Sequence, residues 1–280
     1  MSAVHRLLLY LAGIYFLTGC AAVATHHFAQ NLGSAMLNQE DPETVRSGAP
    51  AYLLLIDGLI VDSPYDNAYL LAGARLYAAY AGGLVEDAER RKQLTTKSKE
   101  YAARALCHQR PAMCAVEQLS FDRFVSVLET TSHTDLEALY TLAESWAGWI
   151  QAHSDDWNAL ADLGRVELLL QHIVNLQPDY ARGRAQLYLA VMRSRFPAAM
   201  GGDPELSRHH FEQAINYSEN RDLMVKVEYA RSYARLIFNK ALHDRLLQEV
   251  LAADPREPDL TLSNILAQRL AKSLLKDDYF

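Results

Sequence analysis

The sequence predicts an all-α protein built from paired helices, and two observations carry this prediction. Apolar residues recur at steps of three and four through most of the chain, which places them on one stripe of a helix. Sustained two-residue alternation, typical of half-buried strands, is absent. The clearest stripe consists of Leu136, Leu139, Ala143, Trp146 and Ile150.

The first nineteen residues have the pattern of a signal peptide. Arg6 is followed by an apolar stretch, Leu7 to Leu17, which is shorter than the roughly 20 residues that span a bilayer. The residues Leu17-Thr18-Gly19-Cys20 resemble a bacterial lipobox, in which the cysteine is diacylated and the chain is cut before it. A chance cysteine after an ordinary signal peptide is the alternative. We expect lipidation at Cys20.

The residue after that cysteine, Ala21, is not Asp, a pattern that resembles sorting to the outer membrane. The predicted location is therefore periplasmic, with the lipid anchor in the inner leaflet of the outer membrane. The predicted domains are the signal peptide (1–19), a lipidated tether with a first helix (20–48) and a helical domain (49–280).

Composition narrows the class of the helical domain. Half of the chain is apolar, which is too much for a disordered protein. The formal net charge is −7, whereas nucleic-acid-binding proteins concentrate Lys and Arg. We therefore expect no nucleic-acid partner. After the signal region no apolar run approaches 20 residues, which predicts a soluble body.

Helix starts follow from local signals. Asp41-Pro42-Glu43 combines an acid and a proline in a first turn, which favours a helix start. The segment from Ala51 to Val61 is read as helix, because nothing nearby could pair with it as a strand. The stretch from Asn67 to Ala81 is apolar on most sides and rich in small residues, which predicts a central helix.

Helix ends also follow a pattern, in which an aliphatic or small packing residue precedes a proline by about five positions. This pattern resembles the second helix of a tetratricopeptide repeat, as does the small–aromatic–small spacing of Ser207, Phe211 and Ala214. Successive helix ends of this kind are farther apart along the chain than the 34 residues of a tetratricopeptide repeat. The sequence therefore predicts a tetratricopeptide-like solenoid of helical hairpins with insertions, including an extra helix from Val116 to Thr130. The predicted ends lie at Pro64, Arg110, Pro178, Glu219 and Pro255.

Cys107 and Cys114 flank a predicted helix end at Pro111. Thiols outside the cytoplasm tend to oxidise, so a short-loop disulfide is expected; two buried free thiols are the alternative. A metal site is not expected there, because only His108 lies close by.

No catalytic motif emerges, and neither an enzyme activity nor a cofactor is predicted. There is no G-x-S-x-G or H-E-x-x-H pattern. The adjacent pair His209-His210 would diverge by about 100° on a helix, which suits a solvated face better than a shared metal. Asp155-Asp156 is read as a helix cap. Four arginines cluster around Tyr188, and one or two could hold a carboxylate; they are Arg182, Arg184, Arg193 and Arg195.

Aromatic residues on inward stripes are candidates for lining a ligand or partner site, since rigid amphipathic rings suit an apolar pocket. For each of them packing in the core is the alternative. The candidates are Tyr69, Tyr77, Trp146, Trp149 and Tyr188.

Several longer segments together are similar to the TatT family, the T-component lipoproteins associated with tripartite ATP-independent periplasmic (TRAP) transporters. The resemblance runs from about Gly33 to Leu275. The segments that carry it are Pro50 to Leu59, Leu76 to Gly82, Ala199 to Glu205 with His210 to Ala214, Leu223 to Ala230, and Leu260 to Gln268.

This resemblance implies a tetratricopeptide-like solenoid, a homotrimer, and a periplasmic solute-binding protein as partner. It also implies an apolar cleft or pore in each protomer that could hold a hydrophobic ligand, such as an organic acid. No catalytic residues are known to carry over. A general envelope scaffold that docks only proteins is the alternative function.

Overall fold

The computed structural model describes residues 33–195, 199 and 202–280, and over these residues the protein is helical, with no strand. The predicted signal peptide and Cys20 lie outside the described residues. A short helical stretch, residues 33–37, precedes the first full helix. The helices are α1 (Pro42–Asp62), α2 (Asn67–Gly83), α3 (Ala88–Gln109), α4 (Phe121–Leu128), α5 (Leu136–Ala152), α6 (Trp157–Ala161), α7 (Leu163–Leu176), α8 (Tyr180–Arg193), α9 (Pro204–Tyr217), α10 (Leu223–Glu228), α11 (Lys240–Ala252) and α12 (Thr261–Leu274).

Local signals set where these helices begin and end. The Asp41 carboxylate accepts hydrogen bonds from the backbone N–H groups of Glu43 and Thr44, so it caps α1 as predicted. Asp156 caps α6 through the N–H of Asn158. The predicted ends of α1, α3, α7, α9 and α11 fall within three residues of the observed ones. The predicted insertion from Val116 to Thr130 contains α4 and a 3-10 turn (Val116–Gln118).

Neighbours in the chain are mostly neighbours in space. Helix α2 packs on α1 and α3, α3 packs on α5, and α5 packs on α7. Helix α8 lies between α7 and α9, while α10, α11 and α12 pack on one another. Helix α12 also contacts α1, so the last helix returns to the first.

The buried apolar residues form two clusters that meet at α8. The larger cluster runs from α1 to α8 and also includes Leu262 of α12, and the smaller one runs from α8 to α12. Ala185 and Leu189 belong to the first cluster, whereas Leu187 and Ala190 belong to the second. Helix α8 therefore holds the two halves of the protein together.

One predicted surface position is wrong. Only His209 of the histidine pair is exposed, because His210 is buried between α8 and α9. Its Nδ1 lies 2.6 Å from Gln186 Oε1, an acceptor, so the histidine donates. Burial lowers the pKa of His210 to about 4, which keeps the ring neutral at pH 7.

Helix α8 begins with a left-handed turn. Gly183 has φ +75°, which L side chains rarely adopt. A Cβ there would lie 2.8 Å from Cβ of Tyr217, so the close contact between α8 and α9 also requires glycine.

Cys107 and Cys114 are joined in a disulfide, with Cα atoms 4.3 Å apart. The chain reverses there because α3 ends at Gln109 and a 3-10 turn (Pro111–Met113) follows. The disulfide thus closes the loop at the end of α3.

Helix α1 presents one apolar face to the core and another to the outside. Leu53, Ile56 and Ile60 are buried, whereas Leu54 is 74% exposed and Val61 is 81% exposed. Among the described helices, α1 alone is long and apolar enough to cross a bilayer, judged by length and composition only.

Candidate functional site

An apolar cavity of about 360 Å³ lies between residues 33–37, α1, α2 and the start of α12. Its size falls in the range of small-molecule pockets, about 300–1,000 Å³. The apolar side chains of the wall include Leu55, Leu59, Ala72, Leu76, Leu84 and Leu262. Such a wall suits a hydrocarbon chain.

Arg75 supplies the positive charge in the wall of this cavity. Its Nη2 donates to Glu137 Oε1 at 2.8 Å, and its Nε donates to Thr141 Oγ1 at 3.2 Å. Both acceptors lie on α5, so Arg75 connects the cavity wall to that helix. A guanidinium can bind a carboxylate through two parallel hydrogen bonds, so Arg75 is a candidate to hold an acidic head group.

The N-terminal side of the cavity is held by a small polar network. The backbone N–H of Asp259 donates to Asn38 Oδ1 at 2.8 Å, and Asn38 Nδ2 donates to Asp259 Oδ1 at 3.2 Å. Ser34 Oγ donates to the same carboxylate at 3.4 Å. These bonds fix residues 33–37 against the loop before α12, and both segments contribute to the cavity wall.

A second feature, here called the α5–α8 seam, consists of polar and aromatic residues that face one another across α5 and α8. From α5 they recur at the spacing of one helix face, and on α8 Arg184 and Tyr188 are four residues apart, while Tyr180 precedes the left-handed turn. The seam consists of Glu137, Tyr140, Thr141, Glu144, Tyr180, Arg184 and Tyr188.

Direct contacts connect the two sides of the seam. The rings of Tyr140 and Tyr180 meet edge to face with centroids 5.6 Å apart. The hydroxyl of Tyr188 donates to Glu144 Oε1 at 3.3 Å, and that of Tyr140 to the same oxygen at 3.5 Å. Burial, followed by the charge of Glu144, raises the pKa of both tyrosines well above the usual value. Both hydroxyls are therefore neutral donors at pH 7.

Arg184 forms the other polar end of the seam. Its Nε donates to Asp222 Oδ2 at 2.8 Å, and its Nη2 donates to Ser263 Oγ at 3.4 Å. The Asp222 side chain is 1% exposed, whereas that of Arg184 keeps 26% of its surface. Arg184 is therefore partly accessible to water at this end of the seam.

The five aromatic candidates from the sequence occupy different environments. Trp146 is fully buried, and its Nε1 donates to Asp162 Oδ2 at 3.2 Å. Tyr77 is buried and donates to Asp57 Oδ2 at 2.8 Å. Tyr69 and Trp149 are half-buried against the core. Tyr188 lies in the α5–α8 seam, and none of the five belongs to the wall of the apolar cavity.

Trp149 already binds a cation from its own chain. The Nζ of Lys99 lies 3.5 Å from the centroid of a Trp149 ring and 3.1 Å from Glu117 Oε2. The ring therefore serves as a seat for Lys99.

Sequence reasoning missed Arg75, Tyr140 and Glu144. The spacing from Glu137 through Tyr140 to Glu144 does mark one face of α5, but the apolar stripe beside it gave the stronger signal. Arg184 was among the four clustered arginines. Arg182 and Arg193 bind Glu257 and Glu167 instead. Over the described residues, no group of three or more His, Cys, Asp or Glu side chains could hold a metal ion.

Comparison with known proteins adds two findings. A family profile described as TRAP transporter T-component matches residues 38–280. A protein of Treponema pallidum (strain Nichols), which bears the description "Uncharacterized protein", is 25% identical over 256 residues. That match covers 84% of this chain and 79% of the relative.

Proposed function

The chain belongs to the TRAP transporter T-component family, which is a family of transporter accessory proteins and not of enzymes. From this premise we propose that it is a lipid-anchored periplasmic accessory protein that docks a solute-binding protein and passes on an apolar organic acid. The proposal of an apolar acid as ligand rests on the apolar cavity beside α1.

The cavity combines the two features that an apolar acid requires. Its leucine-rich wall would bury the hydrocarbon part, which stabilises binding by about 25 cal/mol for each Å² of apolar surface removed from water. Arg75 at the wall would bind the carboxylate by exchanging its contact with Glu137, an exposed partner. An exposed ion pair contributes only about 0–1 kcal/mol, so this exchange costs little.

The proposed location rests on the lipobox residues Leu17 to Cys20 and on the compartment in which a Cys107–Cys114 disulfide persists. Disulfides are rare in the cytosol and stable in the periplasm. The tetratricopeptide-like arrangement is proposed from the helix ends and from the side-by-side packing of α1, α2 and α3.

The proposed homotrimer requires a surface that contacts other copies, and we assign it to the outer face of α1, defined by Ala51, Leu54, Gly58 and Val61. These residues follow one another at steps of three, four and three, the spacing with which one helix packs along another. Small residues alternate with large ones, which allows close approach of a second helix. An apolar face of this kind is seldom left in water.

Changing Leu54 and Val61 to Glu should convert trimers to monomers, because the trimer would then bury six new charges, two from each protomer. Both side chains are exposed, so each change should alter the free energy of unfolding by about 0.5 kcal/mol or less. Sedimentation equilibrium in detergent measures the mass. Trp157→Glu, at an exposed aromatic residue elsewhere, is the control. A double variant that remains trimeric would remove this face from the interface.

Docking can be measured by calorimetry with the purified solute-binding protein encoded beside the transporter. We expect a saturable interaction in the micromolar range, as is common for transient partners of modest interface. A solute-binding protein of an unrelated transporter is the control and should give no heat. If neither protein binds, the chain is better explained as a general envelope scaffold.

A further inference from the structure

Glu144 carries an unusual charge in the middle of the α5–α8 seam. Arg75 is bonded to Glu137 and Arg184 to Asp222, each at 2.8 Å. In the part of the chain that the structure describes, Glu144 has no cationic group within 4 Å. Within the described residues, its hydrogen bonds are the long ones from Tyr140 and Tyr188, both to Oε1. None of these residues donates to its Oε2.

The net charge of this region is therefore negative. Arg75 and Arg184 are each paired with one carboxylate, Glu137 and Asp222, which leaves the half-buried Glu144 as the unpaired charge of this group. Burial removes part of a charge's contact with water, and an opposite charge or hydrogen bonds can replace it. A cation beside Glu144 would therefore complete the pairing.

The protein builds the same arrangement twice elsewhere, each time with its own lysine. The Nζ of Lys97 bonds to Asp57 and lies 5.2 Å from the ring centroid of Tyr77 and 5.7 Å from that of Tyr101. In this first seat, a carboxylate and two aromatic rings surround the ammonium group.

Lys99 occupies the second seat, between Glu117 and Trp149, as described above. The seam repeats the combination with Glu144, Tyr140 and Tyr188, but no lysine of the described residues reaches it. An ammonium group beside aromatic faces gains up to about 2 kcal/mol when it is desolvated. The chemistry that the chain uses twice for its own lysines is therefore available here to an external group.

The seam is also accessible. Glu144 and Tyr188 are half-buried rather than sealed, and Arg184 keeps accessible surface. Gly148 lies one turn beyond Glu144 on the same face of α5, and a Cβ built there would meet no atom within 4 Å. There is thus open space on α5 one turn beyond Glu144.

We propose that the α5–α8 seam binds the ammonium group of an external amine ligand, with Glu144 as its counter-ion and the rings of Tyr140 and Tyr188 as its walls. This site is separate from the apolar cavity and depends neither on the solute-binding protein nor on the trimer. It adds an ammonium group to the ligand chemistry of the proposed function, which so far includes only a carboxylate bound by Arg75.

Three probes with one hydrocarbon chain test this: hexylammonium, hexanol and hexanoate, each titrated by calorimetry into the full chain in detergent at constant ionic strength. We expect hexylammonium to bind about tenfold or more tightly than hexanol. Glu144→Gln keeps an acceptor for both tyrosine hydroxyls but removes the charge, and it should abolish this preference without weakening hexanoate.

Glu100→Gln is the matched control, because Glu100 lies on α3 outside the seam and pairs with Arg104. It should leave the tenfold preference within about a factor of three. The proposal is overturned if the wild-type chain binds hexylammonium no better than hexanol, a comparison that needs no variant to fold. It is also overturned if folded Glu144→Gln retains the preference, or if both glutamine variants lose it equally.

Discussion

Replacing Trp146 with Ala should lower the free energy of unfolding by about 3–5 kcal/mol. Trp146 is 0% exposed in the larger apolar cluster, so the change leaves a cavity that the neighbouring helices cannot fill. It also removes the donor to Asp162, whose Oδ2 accepts from the indole at 3.2 Å. Urea unfolding followed by circular dichroism measures the loss.

Trp157→Ala is the control for this measurement, because that indole is 84% exposed. Its cost should stay within about 0.5 kcal/mol. If instead Trp146→Ala costs less than about 1 kcal/mol and weakens the binding of a ligand, Trp146 lines a ligand path, as its inward stripe had suggested.

Replacing Asp222 with Asn should cost about 2–3 kcal/mol, the second-largest effect that we expect. Asn retains the shape and the cap on α10, where the carboxylate now accepts from the N–H of Met224. It removes the charge that neutralises the enclosed Arg184. The cost stays below that of a fully buried pair, because Arg184 keeps some contact with water.

Asp155→Asn provides the comparison. Asp155 pairs with Lys92 at 2.9 Å, close to the 2.8 Å between Arg184 and Asp222, but its side chain is 70% exposed. That change should cost about 0–1 kcal/mol. Equal losses in the two variants would mean that the burial of Asp222 does not strengthen its pair with Arg184.

The positions of the helices could be predicted from the sequence because they depend on local signals. Asp41 and Asp156 cap helices through bonds to residues two or three positions ahead. Proline ends helices through its own ring. These effects need no knowledge of distant parts of the chain.

The environment of each inward ring could not be predicted, because periodicity marks an inward face without saying what lies there. Trp146 and Trp149 are three residues apart on α5, yet one is sealed in the core and the other holds Lys99. The lysine comes from α3, and only the packing of α3 on α5 brings it near. His210 was misjudged for the same reason, since its partner Gln186 belongs to α8.

The two candidate sites depend on still longer separations along the chain. The cavity wall joins Leu262 to α1 and α2, and it exists because α12 returns to α1. Glu144 becomes distinctive only when α8 brings Tyr188 beside it without a lysine. Neither arrangement leaves a motif of fixed spacing in the sequence.

Calorimetry with octanoate measures whether the cavity beside α1 binds an apolar acid. The wild-type chain should bind octanoate with a negative heat-capacity change, the mark of buried apolar surface. Ala72→Trp places an indole in the cavity and should weaken binding about tenfold or more, whereas Ala252→Trp, at an exposed position on α11, should not. The cavity is not a binding site for an apolar acid if octanoate does not bind the wild-type chain. The same conclusion follows if octanoate binds folded Ala72→Trp equally well.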